Sequence, residues 1–181
     1  MQGRKTPRRI TESYLHNAGL YYLQRFSASS GHFREVMLRK IKRSCHAHTD
    51  QDFEACVTLL DALILRFQET GLLNDEDYAR MMVRSLRQRG HSRRLILLRL
   101  GAKGLPQDLI QEQLVYLDHD ECEDQGEAER QAALVFARKK RFGPYAADPD
   151  QNREKAMASM ARAGFSYDTI QHVLSIKTED L

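Results

Sequence analysis

Residues 71–114 read GLLNDEDYARMMVRSLRQRGHSRRLILLRLGAKGLPQDLIQEQL. Three glycines, Gly71, Gly90 and Gly104, divide this stretch, and glycine is a common residue just past the end of a helix. Asn74 and Ser92 follow the first two glycines, where a side-chain oxygen can cap a new helix. Apolar residues recur every three or four positions between these signals, which is the period of an amphipathic helix. The stretch predicts three consecutive helices, over residues 74–89, 92–104 and 106–117.

The remainder of the 181-residue chain has the same helical character. The sequence contains 22 leucines and 17 alanines but only 13 valines and isoleucines together. Because β-branched residues favour strands while leucine and alanine favour helices, this composition predicts an all-α protein. The further predicted helices cover residues 11–29, 33–44, 52–70, 128–141, 149–163 and 167–176.

Two internal offsets relate parts of the chain to one another. An offset of 60 residues superimposes Gly104 on Gly164, Asp108 on Asp168, Ile110 on Ile170, Gln111 on Gln171 and Leu114 on Leu174. An offset of 59 residues superimposes Gly31 on Gly90, Met37 on Ile96 and Ile41 on Leu100. Three short helices bury little apolar surface alone, whereas stacked units share a continuous core. The offsets therefore predict three tandem three-helix repeats, stacked into an elongated, curved array.

The predicted domain organisation follows from these repeats and from the charge pattern. A basic N-terminal tail covers residues 1–10, and an acidic linker covers residues 118–127. The three-helix repeats occupy residues 11–70, 71–117 and 128–176.

Positive charge is unevenly distributed, although the formal net charge is only +3. Residues 80–103 carry eight basic residues and no acidic one, whereas residues 104–131 carry nine acidic residues and one basic one. Successive helical residues rotate by about 100°, so Arg80, Arg84 and Arg87 fall on one stripe, opposite apolar residues. The candidate contact residues for a polyanion are Arg80, Arg84, Arg87, Arg93 and Arg94, followed by Arg39 and Arg43 on an earlier helix.

This basic stripe has more than one interpretation. Such a stripe is often only a solvated helix face, but here no acidic residue neutralises it within two helices. It suits either the phosphates of a nucleic acid or an acidic protein surface. Tyr21, Tyr22 and Phe26 could stack on bases, although their helical spacing favours packing in the core.

Motifs typical of several other functions are absent. No window approaches the 18 to 20 or so apolar residues that span a membrane, and residues 1–9 lack the apolar stretch of a secretory signal. Cys45, Cys56 and Cys122 form no CxxC pair, so we expect neither a disulfide framework nor a zinc site. Phosphate-binding loops, nucleophile elbows and HExxH are also missing. The sequence predicts a cytoplasmic protein with no metal, cofactor or enzymatic activity.

Several segments follow, in order, the motifs of one known family. Residues 71–79, GLLNDEDYA, are similar to the element G-[YL]-L-[ND]-D-x-x-[FY]-A. The likeness continues through Gly90, Ser92, Leu97, Leu100, Lys103, Gly104, Leu105, Asp108, Ile110 and Leu114. In the first repeat, the matching residues are Ala18, Tyr22, Leu23, Arg25, Ser29, Phe33, Arg34, Leu38, Arg39 and Lys40. Over about residues 12–175, the chain resembles the RecX family of bacterial regulators of the RecA recombinase.

This resemblance implies tandem three-helix repeats without catalytic activity, acting in DNA repair, recombination and the SOS response. It also implies binding within the RecA–single-stranded DNA filament, which limits filament extension, ATP hydrolysis and strand exchange. The basic faces would lie along protein and DNA, with weak binding to single-stranded DNA that has no sequence preference. We expect a monomer that does not associate with membranes.

Two alternatives remain open on the sequence alone. Residues 92–114 could form an autonomous helix-turn-helix module, although Pro106, Gln107 and Asp108 are a poor set for reading bases. A helical-repeat scaffold for another protein partner is also compatible with the observed periodicity.

Overall fold

The computed structural model describes residues 6–122, 125–148 and 152–176, and the all-α prediction is confirmed. In these residues the chain forms nine α-helices and one short 3-10 helix, with no β-strand. The α-helices are α1 (Glu12–Leu23), α2 (Ser30–Ala47), α3 (Phe53–Glu69), α4 (Asp75–Gln88), α5 (Arg93–Gly101), α6 (Gln107–Glu121), α7 (Gln125–Lys140), α8 (Arg153–Arg162) and α9 (Tyr167–Ser175). The 3-10 helix covers Gly143–Tyr145.

Local signals set many of the helix ends, as the sequence predicts. The side chain of Ser92 accepts a hydrogen bond from the backbone N–H of Leu95 and opens α5. After α4, Gly90 has a φ of 76°, a conformation that glycine adopts at little cost. A Cβ at Gly90 would lie 2.7 Å from the backbone nitrogen of Phe136. Both the turn and the close approach of α7 therefore require glycine here.

Several helix boundaries differ from the prediction, and α2 covers Ser30–Ala47 where residues 33–44 were expected. Helix α1 ends at Leu23 instead of residue 29, because Ser29 caps the next helix and holds an extended backbone. Helix α6 continues to Glu121 and α7 begins at Gln125. Most of the acidic segment predicted as a linker is thus helical, and residues 123–124 lie outside the described residues. The predicted start of α8 at residue 149 also lies outside them.

The chain packs as two compact units, and the first comprises the described parts of Met1–Tyr78 together with Lys103–Leu105. Helices α1, α2 and α3 surround one apolar core. The rings of Phe33 and Phe67 lie at its centre, with centroids 5.8 Å apart. The other fully buried side chains of this core are Leu15, Met37, Ile41, Leu60 and Leu63.

The second unit comprises Ala79–Ala102 and the described parts of Pro106–Leu181. It contains most of α4 and the whole of α5 to α9. Alanines dominate the buried face of α7, and small side chains allow neighbouring helices to approach closely. The buried residues around them are Met160, Phe165, Ile170, Val173 and Leu174. Ile96, Leu100, Ile110 and Leu114 are also fully buried in this unit.

Burial and capping determine the register between equivalent helices. The offset of 60 residues pairs residues that are both buried, Ile110 with Ile170 and Leu114 with Leu174. The offset of 59 residues is wrong by one helical turn, because Gly31 lies inside α2 whereas Gly90 lies in a turn. An offset of 63 residues aligns Ser29 with Ser92, which cap α2 and α5. Both hydroxyls also donate to a carbonyl just before a glycine with positive φ, those of Lys103 and Ala163 respectively.

Candidate functional site

The five candidate arginines between residues 80 and 94 all lie in the second unit. Arg80 and Arg84 are exposed on α4, and Arg94 is exposed on α5. Arg93 is half-buried, whereas Arg87 is only 7% exposed. The structure therefore presents part of the predicted stripe to solvent and buries the rest.

Arg87 binds two carboxylates inside the second unit. Its Nε and Nη2 donate to the two oxygens of Asp118 at 3.1 and 2.9 Å, and its Nη1 donates to Glu129 at 2.6 Å. Asp118 is only 2% exposed, so this is a buried bidentate ion pair. Burial lowers the pKa of Arg87, but its hydrogen bonds to Asp118 and Glu129 raise the pKa more, and the net shift is upward. Arg87 joins α4 to α6 and α7, so its assignment as a contact residue is corrected to a structural one.

Acidic residues of α6 and α7 also approach two of the other candidates. The Nη2 of Arg84 lies 3.7 Å from the Oδ2 of Asp120, and the Nη1 of Arg93 lies 3.8 Å from the Oδ2 of Asp118. The backbone N–H of Arg93 donates to Glu129 at 3.0 Å. The acidic segment therefore neutralises part of the basic stripe, although the two are well separated in sequence.

Another group of cations surrounds His91, in the turn between α4 and α5. Burial lowers the pKa of His91, the positive charges of Arg99, Lys139 and Arg89 lower it further, and a hydrogen bond between the ring and the backbone carbonyl of Leu86 opposes them. The Nζ of Lys139 donates to the backbone carbonyl of Arg89 at 3.0 Å. We call Arg89, Arg99 and Lys139 the His91 cluster. These residues were not among the sequence candidates, because Lys139 belongs to a basic run, residues 138–141, whose position relative to α5 depends on tertiary packing.

The first unit carries its own positive charge on α2. Arg39 and Arg43 are exposed there, and the Nε of Arg43 donates to the backbone carbonyl of Arg39 at 3.2 Å. Burial lowers the pKa of nearby His32, the charges of Lys103 and Arg39 lower it too, and Glu35 opposes them. Arg39 and Arg43 thus lie one turn apart on the same exposed face of α2.

The pKa of the His91 ring depends on the positive charge around it. We expect its pKa to lie below the ordinary histidine value of about 6.5, because burial and then Arg99 disfavour the imidazolium form. Since the folded state holds the ring neutral, the unfolded chain takes up a proton first. Stability therefore falls as the pH is lowered from about 6.5 towards the pKa of folded His91.

An NMR titration of the His91 ring protons measures this pKa. Arg99→Gln is expected to raise it towards the ordinary value, whereas Arg162→Gln, at an exposed arginine of α8, is expected to leave it unchanged. The same pKa in wild type and Arg99→Gln would contradict the described arrangement.

In the part of the chain that the structure describes, no three histidine, cysteine or carboxylate side chains converge as metal ligands. Cys45, Cys56 and Cys122 all lie in the described residues, and none of them forms a disulfide bond. None of the helices described has both the length and the apolar character required to cross a bilayer.

Comparison with known proteins assigns the chain to a family. Residues 74–114 match the family model described as RecX, second three-helix domain, and residues 127–174 match RecX, third three-helix domain. The chain is 37% identical over 176 residues to the regulatory protein RecX of Myxococcus xanthus, covering 96% of this chain and 90% of the relative. The chain belongs to the RecX family. RecX proteins are regulatory proteins and not enzymes.

Two other RecX proteins extend the comparison. The regulatory protein RecX of Agrobacterium fabrum is 30% identical over 175 residues, covering 93% of this chain and 85% of the relative. The crystal structure of RecX from Lactobacillus salivarius matches with a TM-score of 0.62 at 21% identity, covering 93% of this chain and 96% of that one. At this identity the likeness concerns the fold, and it agrees with the three-helix domains of the RecX family.

Proposed function

We propose that this RecX-family chain binds the RecA–single-stranded DNA filament and restrains its extension, ATP hydrolysis and strand exchange. The observation that carries the proposal is the 37% identity to a regulatory protein RecX over 96% of the chain. The mechanism is occupancy, in which the bound protein holds sites that further RecA subunits or a second DNA strand require. This mechanism requires a surface that binds the filament, and it requires no catalytic group.

The contact surfaces are those where cations reach solvent. In the first unit they are Arg39 and Arg43, and in the second unit they are Arg80, Arg84, Arg93, Arg94 and the His91 cluster. Arg87 is left out because its guanidinium is bound by Asp118 and Glu129. Positive surfaces of this kind speed the encounter with a negatively charged filament, while a few closely packed side chains set specificity.

Binding to bare single-stranded DNA by the monomer is weak and independent of sequence. Each phosphate contact contributes about −0.7 to the slope of log K against log salt, so five contacts give a slope of about −3.5. A protein that recognises a particular duplex sequence would instead bind that sequence much more tightly than other DNA sequences.

The decisive measurement is the rate of ATP hydrolysis by RecA on single-stranded DNA. We expect the purified protein to slow hydrolysis when it is present at far fewer copies than RecA, because one bound molecule blocks extension of a whole filament. The control is ATP hydrolysis on filaments whose assembly is complete before the protein is added, where the effect should develop more slowly. Unchanged hydrolysis, together with preference for one duplex sequence in competition gel shifts, would contradict the proposal and favour a helix-turn-helix module.

A further inference from the structure

Two aromatic side chains stand exposed at the end of α1, where the sequence favours core packing. Tyr21 is 62% exposed and Phe26 is 52% exposed, whereas the third aromatic residue of this segment, Tyr22, packs against the apolar core. Single exposed aromatic residues are common on protein surfaces. These two are distinguished by a cation that lies beside both of them.

That cation is Arg25, which links the two exposed rings. Its Cζ lies 5.5 Å from the ring centroid of Tyr21 and 6.0 Å from that of Phe26, within the range of cation–π attraction. Its Nη1 also donates to the hydroxyl of Tyr21 at 2.7 Å. We call Tyr21, Arg25 and Phe26 the aromatic platform.

The aromatic platform is supported by the core of the first unit. The rings of Tyr22 and Phe26 have centroids 5.2 Å apart, and those of Tyr22 and Phe33 have centroids 6.2 Å apart. Phe33 is fully buried. The exposed Phe26 ring is therefore held in place through Tyr22, so a ligand that stacks on it does not have to order a mobile side chain.

A groove of about 580 Å³ adjoins the platform and shares Tyr21 with it. This volume is within the range of about 300–1,000 Å³ that holds small organic ligands. Its walls include Tyr14, Asn17 and the cations Arg8, Arg9 and Lys40. Arg9 is bound by both oxygens of Asp50, at 3.0 and 2.6 Å. The side chains of Arg8 and Lys40 contact no carboxylate in the part of the chain that is described.

We propose that the aromatic platform and this groove form a single-stranded DNA site, in which bases stack on Tyr21 and Phe26 while phosphates lie against Arg8 and Lys40. Exposed aromatic rings beside a positive groove are the combination that binds single strands without sequence preference. Bases of a duplex are already stacked on one another and are not available to the rings. An acidic peptide would use the cations but would not require the rings. The inference rests on the proposed function only in taking single-stranded DNA as the ligand.

The site can be tested without RecA, so its failure is distinguishable from failure of the proposed function. The probe is a labelled oligothymidylate of about 20 nucleotides, longer than a typical single site, compared by fluorescence anisotropy with an abasic oligonucleotide of equal length and charge. The wild-type protein should bind the oligothymidylate about tenfold or more tightly than the abasic strand. Equal affinity for the two strands would overturn the proposal.

Removing the rings and removing the charges should have different effects. Tyr21→Ala and Phe26→Ala should each weaken binding of oligothymidylate by about tenfold, leave binding of the abasic strand unchanged and preserve the salt slope. Arg8→Gln with Lys40→Gln should weaken binding of both strands and reduce the salt slope by about 0.7 for each cation. Loss of affinity for both strands in the ring variants would overturn stacking.

Two control variants distinguish the loss of a stacking ring from a loss of folding. Tyr21→Phe keeps the ring and should bind like the wild type. Tyr116→Ala removes a ring that is 64% exposed on α6 and should bind like the wild type. If Tyr116→Ala weakened binding as much as Tyr21→Ala, the aromatic platform would not be the site.

Discussion

Replacing Arg87 with methionine is expected to lower the free energy of unfolding of the second unit by about 3–5 kcal/mol. Methionine keeps the unbranched apolar part of the side chain but has no charge and no N–H group, so Asp118 loses the two hydrogen bonds that join it to Arg87. Asp118 is 2% exposed, and water cannot replace those bonds without opening the unit. Glu129 loses its 2.6 Å contact with the guanidinium at the same time. Urea unfolding followed by circular dichroism measures the change.

The matched control is Arg80→Met, at an exposed arginine of the same helix. Because exposed ion pairs contribute about 0–1 kcal/mol, this variant should stay close to the wild type. Arg87→Met combined with Asp118→Asn should recover part of the lost stability, since the buried negative charge is then removed. Equal stability of the Arg87 and Arg80 variants would show that the buried pair does not support the fold.

Reversing charges on the exposed cations is expected to abolish most of the inhibition of RecA while leaving the protein folded. The pair Arg99→Glu and Lys139→Glu removes two members of the His91 cluster. The pair Arg80→Glu and Arg94→Glu alters the exposed part of the predicted stripe. Each pair of substitutions turns two attractive contacts into repulsive ones, so about tenfold more protein should be needed for half-inhibition of ATP hydrolysis. The slope of log K for filament binding against log salt should also become shallower.

A matched variant separates the loss of a surface from the loss of net charge. Lys155→Glu with Arg162→Glu changes the net charge by the same amount on exposed positions of α8. This control should inhibit RecA nearly as well as the wild type. If the control lost inhibition to the same degree, the effect would be one of overall charge, and the contact surfaces proposed above would be incorrect.

The helices could be predicted because their signals are local. Ser92 caps α5 with its own side chain, and Gly90 ends the preceding turn with a positive φ. Both effects depend on residues only a few positions away, and a single sequence contains them. The apolar faces were predictable for the same reason, and Val83 and Leu86 are buried as their spacing on α4 indicates.

The register of the first repeat was not predictable from apolar periodicity. A shift of four residues moves a helical pattern by one turn and still places apolar residues on apolar residues. The offset of 59 therefore superimposes Met37 on Ile96, both of them buried, although the two residues are not equivalent. The two registers are distinguished by the capping residues Ser29 and Ser92, with their partner carbonyls, and by Gly31, which lies inside a helix whereas Gly90 lies in a turn.

The sequence by itself determined which helices form, which faces are apolar and how much positive charge the chain carries. Tertiary structure decided which cations remain available to a partner. Arg80 and Arg87 lie on the same stripe of α4, but Arg80 is exposed, whereas Arg87 is buried and bound by Asp118, which comes 31 residues later in the chain. Tyr21 stayed exposed although its spacing favours the core. The formation of a helix and its apolar face depend on residues that are neighbours along the chain. Burial and ion pairing depend on which other helix packs against that face, and this is determined only when the core forms.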